Sequence, residues 1–137
     1  DLYLARVDFG TVAESVRSTN SLTERDWHIL ALAVKQCALQ LEDMSELLAH
    51  QETLEGTLAR KDTVIVEATH RTLHRLTDLL SLLEHSGIVW REEKHVRKEV
   101  SHVRFASSAL LSRWKKYAHK DARTMLKEIE VAIEKLS

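Results

Sequence analysis

Apolar side chains recur along this chain in steps of three and four residues, the spacing that places them on one face of a helix. The longest such row runs from Val89 to Leu136, a stretch without proline or glycine. Val89, Val96, Val103, Leu110 and Tyr117 stand seven residues apart. Val100 and Trp114 fill the second apolar position of that heptad, and Ser107 holds it once with a small polar side chain. The pattern predicts one long helix, roughly 70 Å at about 1.5 Å per residue, buried along a seam. After Tyr117 the row shifts by one position and continues as Ala118, Ala122, Met125, Ile129, Ala132 and Leu136. Such a slip often marks where a helix exchanges one packing partner for another.

The preceding chain supplies partner helices. Leu4, Val7, Val12 and Val16 form a weak stripe interrupted by Gly10, which predicts a short helix or two turns ahead of a break at Thr19-Asn20. Ser21-Leu22-Thr23-Glu24 has the form of a capping box, with Thr23 competing for the cap. Trp27, Leu30, Val34, Cys37, Leu41, Met44 and Leu48 then make an uninterrupted seam. Ile29, Ala33, Leu39 and Leu47 widen it, so this helix is expected to pack on more than one side. The seam fades at Gln51 and Glu55 before Gly56, where a break or bend is expected. Leu58 to His85 reads as the next helix, with the β-branched run Thr63 to Val66 as buried helix surface rather than a strand. Leu73, Leu76, Leu80 and Leu83 restore the helical spacing, and Ser86-Gly87 supplies a C-terminal stop. A stop that sharp predicts an antiparallel reversal into the long helix.

These elements predict an all-α fold: an elongated antiparallel helical bundle or coiled coil of three long helices plus a short N-terminal helix. One domain is expected over residues 1–137, with 1–20 as a weakly patterned segment and 21–137 as the bundle. The absence of proline and the presence of only three glycines argue against β-architecture, whose turns lean on both. Cys37 is the single cysteine and lies on the apolar face of a predicted helix. It is expected to be a buried, reduced thiol, which points to the cytoplasm or another reducing intracellular compartment. No apolar run approaches the ~20 residues of a membrane span, and no signal peptide stands at the start. Because the chain opens on Asp1 rather than methionine, it is expected to be a piece of a longer protein.

Net charge is −1, but it is unevenly spread. Residues 1–87 carry 8 Lys and Arg against 14 Asp and Glu, whereas residues 88–128 carry 11 against 5. Two readings stay open: the halves pair with one another, or the basic half faces an acidic protein, a nucleic acid or an anionic lipid surface. Arg91, Lys94, Arg97, Lys98 and Arg104 are interleaved with Glu92, Glu93 and Glu99, as on a solvated helix surface. Arg113, Lys115, Lys116, Lys120 and Arg123 have only Asp121 among them and are the expected contacts to an anionic surface. Trp114 and Tyr117 sit on the seam rather than beside these charges, so specific nucleic-acid recognition is not expected.

Candidate chemistry is sparse. His70 and His74 share a helix face at i, i+4, a workable pair of zinc ligands, and His95 and His102 lie seven apart. Neither pair has a cysteine or an H-E-x-x-H context, so solvated histidines are expected and no metal site. No phosphate loop, nucleophile elbow or catalytic Cys-His pairing is present. A non-enzymatic protein is expected, with no catalytic residues and no cofactor.

The segment Leu110-Leu-Ser-Arg-Trp-Lys-Lys-Tyr-Ala118 with Ala122-Arg-Thr-Met-Leu126 resembles the last helix of spectrin-like repeats, and Trp27 suits that family too. Arg97-Lys-Glu-Val100, Val103-Arg-Phe105, Trp114 and Tyr117 resemble the final helix of sorting-nexin-type BAR domains. The first resemblance implies a helical scaffold, and the second a curved, dimeric bundle that binds membranes. The unequal helix lengths are expected to leave part of the long seam uncovered, with Val96, Val103, Leu110, Trp114 and Tyr117 as partner-binding residues. The partner would be a second copy or another subunit of a larger hetero-complex. The leading expectation is a protein-interaction or scaffold module, and the alternative is a peripheral BAR-type membrane module using the basic face of residues 88–128.

Overall fold

The computed structural model describes residues 2–49, 60–117 and 122–137. Five helices stand among them: α1 (Leu2–Thr19), α2 (Glu24–Ala49), α3 (Arg60–His85), α4 (Lys94–Tyr117) and α5 (Arg123–Lys135). A single 3₁₀ turn over Trp90–Glu92 precedes α4, and the described residues include no strand. The all-α class predicted from periodicity holds. The expected break or bend at Gly56 lies outside the described residues.

The N-terminal segment is one 18-residue helix rather than a short one. Gly10 lies within it on an exposed surface, so its lack of a side chain costs some helix propensity but no packing. Phe9, Val12, Ala13 and Val16 bury the opposite face, and that tertiary contact outweighs the weak local signal. Asn20, with φ of 57°, ends α1 in the left-handed conformation that asparagine tolerates. The start of α2 is capped by Thr23, not Ser21. Thr23 Oγ1 accepts from the Asp26 amide at 3.1 Å, and Asp26 Oδ2 accepts from the Thr23 amide at 3.0 Å. This reciprocal pair is a capping box with aspartate in place of glutamate. The Thr23 amide and hydroxyl, with Ser15 Oγ, hold the Asp26 carboxyl below its ordinary pKa. At the far end of α3, Ile88 donates to the Leu83 carbonyl and Gly87 to that of Glu84, while Gly87 takes a φ of 77°. That is a Schellman stop, and it requires the glycine.

The single long helix predicted over 89–136 does not form. α4 ends at Tyr117, and α5, from Arg123, packs back on α3 and α4. Leu126, Ile129, Ile133 and Leu136 are all buried. Extending α4 straight on would expose those four side chains and forfeit roughly 2 kcal/mol for each. No proline or glycine stands between α4 and α5 in the sequence, and the burial of these four side chains favours the return. The phase slip after Tyr117 is its signature in the sequence.

α4 packs chiefly on α2, whereas α3 packs on α5 and α1. Around the bundle the helices therefore run α1, α2, α4, α5, α3, and the expected close α3–α4 hairpin gives way to this ring. The first halves of α2 and α4 lie side by side, with His28 and Lys35 sharing a groove with His95 and Lys98. Farther along, His102 pairs with Glu42, so α2 and α4 run parallel. The start of α3 is tied to the end of α4 through Asp62 and Arg113, and the end of α3 to the 3₁₀ turn before α4. Glu84 accepts from Trp90 Nε1 at 3.0 Å and from Arg91 Nη1 at 2.7 Å. Arg91 also donates to the carbonyls of Lys135 and Ser137, which fastens the end of α5 to the same corner.

Candidate functional site

The seam residues expected to meet a partner are instead the centre of the core. Val96, Val103, Leu110 and Trp114 are each wholly buried within the chain. α2 covers them from one side and the returning α5 from another, so no surface is left for a partner there. The Tyr117 side chain lies outside the described residues.

Two residues of the expected anionic-surface cluster, Arg113 and Lys115, have acidic partners within the chain. Arg113 reaches across to Asp62 in the first turn of α3, with Nε 2.9 Å from Oδ1 and Nη2 3.3 Å from Oδ2. Trp114 Nε1 donates to the same Oδ1 at 3.0 Å. Asp62 is 0% exposed, and this bidentate guanidinium with the indole N–H satisfies a charge that burial alone would make costly. Lys115 meets Glu130 of α5 at 2.6 Å. Lys116 and Arg123 are exposed, and Lys120 lies outside the described residues. α5 brings Glu130 back beside Lys115 of α4, an arrangement hidden when 88–136 is read as one straight helix.

The histidines are similarly engaged. His70 Nε2 lies 2.6 Å from Glu128 of α5, its ring stacks on that of His74 at 6.0 Å, and His74 faces Asp78 at 3.6 Å. Among the described residues no three His, Cys, Asp or Glu side chains are grouped to hold a metal ion. Cys37 is buried, and desolvation pushes its thiol up to about 11, so it remains protonated at neutral pH.

Large apolar side chains stay exposed singly at Val7, Val64, Val89, Phe105 and Val131, whereas on α2 they fall in a row. This helix carries two apolar rows. Leu30, Val34, Cys37, Leu41 and Leu48 face the core. On the opposite side Leu32, Leu39 and Leu47 are 48%, 39% and 48% exposed, with half-buried Ile29 at the start of the row. Gln36 and Asp43 separate the leucines at the polar positions of a near-heptad. A shallow groove of about 460 Å³ runs along this face, lined by Gln36, Leu39, Gln40, Asp43, Met44 and Leu47. Leu39 and Leu47 were readable as widening the seam; that they widen it outward depends on where α1 and α4 flank α2. Leu32 carries no signal in the inward three-four spacing, although its seven-residue separation from Leu39 was there to find.

Among the described residues no helix is long and apolar enough to cross a membrane. No family model matches the chain, and no curated protein or solved structure matches it. The spectrin-like and BAR-type resemblances accordingly rest on the short segments that suggested them.

Proposed function

We propose that this chain is a helical protein-interaction module that docks a partner helix on the outer row of α2. A single observation carries the reading: Leu32, Leu39 and Leu47 form one exposed leucine row on a helix whose other row is fully buried. Exposed leucines scattered singly need no explanation, but three in register over four turns of one helix make a continuous seam of the kind that helix-in-groove partners use. The groove beside it supplies concave positions into which a partner's side chains can insert.

A photo-crosslinking residue at position 39, compared with one at exposed Lys116, tests this in cells. Discrete protein adducts at 39 and none at 116 are expected. Equal, diffuse labelling at both positions would sink the proposal.

A further inference from the structure

The partner's chemistry can be read from the row itself. We infer that the outer row of α2 docks on the same row of a second copy of this chain, antiparallel, about a two-fold axis between Leu39 and Gln40. The inference rests on the interaction-module reading and names its partner.

Register comes first. With the axis between residues 39 and 40, Leu32 of one copy faces Leu47 of the other at both ends of the contact. Leu39 lands among Gln36, Leu39, Gln40 and Asp43 of the second copy, four residues that line the groove. That is the knob-into-hole relation of packed helices. Gln36 falls opposite Asp43 and can donate to its carboxylate. A two-fold contact must be self-complementary, each residue meeting in its partner what its partner meets in it. This row meets that condition without leaving any leucine unmatched.

Charge then chooses the direction. Lys35 is exposed on the flank in the first half of the row, and Asp43 and Glu46 are exposed in the second half. Antiparallel pairing sets Lys35 of each copy beside Asp43 and Glu46 of the other. Parallel pairing would set Asp43 beside Asp43 at the centre of the seam, with like charges in contact. The row spans Ile29 to Leu47, about 28 Å of helix. One helix per side puts the interface at the small end of specific contacts, under about 1,200 Å² in total, so a dimer dissociating at micromolar concentration is expected.

Light scattering coupled to size exclusion, over about 1 to about 500 µM, reads the mass directly. It should climb from one chain to two across the series. Lys35→Glu should weaken the dimer about tenfold or more, and combining it with Asp43→Lys and Glu46→Lys should restore most of the loss. Leu39→Asp should abolish the dimer while circular dichroism shows unchanged helix content. A monomer at every concentration, or a dimer indifferent to Leu39→Asp, would overturn the inference. Peptide identification of the position-39 adduct separates the two readings. Peptides from this chain support self-pairing, whereas peptides from another protein with a monomeric chain overturn self-pairing and leave the module reading standing. No adduct at all removes both.

Discussion

The seam of α4 and the outer row of α2 are built alike, from apolar residues stepping three and four along a helix, yet the fold treats them in opposite ways. Val96, Val103, Leu110 and Trp114 are wholly covered by their own chain, while Leu32, Leu39 and Leu47 stay 39% to 48% exposed. The α4 seam has helices on both flanks and a polar clamp, Asp62 with Arg113 and Trp114, closing its far end. The α2 row has nothing across from it in the described chain. Periodicity therefore reports that a row favours cover, and says nothing about what covers it.

A charge placed on each row gives the widest separation between them. Leu110→Asp puts an unpaired carboxylate at a fully buried position, a cost comparable with the whole stability of a small domain, about 5–15 kcal/mol. No cooperative thermal transition is expected, and a folded variant would mean the α4 seam can open. Asp62→Ala should come next, with a loss of about 3 kcal/mol by urea denaturation, because Arg113 and the Trp114 indole are left without their acceptor. A loss under about 0.5 kcal/mol would show that the clamp does not hold α3 over the seam.

The corner at Glu84 sharpens the comparison through pH. Hydrogen bonds from Arg91 and then Trp90 hold the Glu84 carboxyl below its ordinary pKa. A depressed folded-state pKa contributes stability that is present above the unfolded value and is lost as pH falls through the folded one. Wild type should therefore exceed Glu84→Gln in stability at pH 7, with the gap closing below about pH 4. A gap that persists unchanged at low pH would assign the effect to packing rather than charge. Leu39→Asp should produce the smallest stability change, within about 0.5 kcal/mol for the monomer, because the site is already hydrated. Its consequence is expected in association alone, and a large drop in monomer stability would show that the row is covered after all.

Much of the fold was legible because it follows from local spacing. The inner row of α2, the helical reading of Thr63 to Val66 and the glycine stop at Gly87 each need only the chain's own periodicity and backbone preferences, although of that run only Ile65 and Val66 are buried and Val64 is exposed. The full length of α1 was not legible, since Gly10 weakens the local signal and only packing against the bundle restores it. The Thr23–Asp26 box was hidden for a smaller reason: Ser21 and Glu24 offer the same pattern two residues earlier, and geometry decides between them.

By itself the sequence determined that this protein is helical, roughly where α2 begins and α3 ends, and which residues make the inner apolar rows. It also carried the slip after Tyr117. Only the tertiary structure decided that α5 packs back on α3 and α4 beyond the slip, that the basic half of α4 meets carboxylates of its own chain, and that the uncovered row belongs to α2. The reason is physical: helix periodicity is set by neighbours three and four residues away, whereas covering an apolar row or pairing Arg113 with Asp62 depends on contacts some fifty residues apart. Such contacts are chosen by which arrangement buries the most surface and satisfies the most charge.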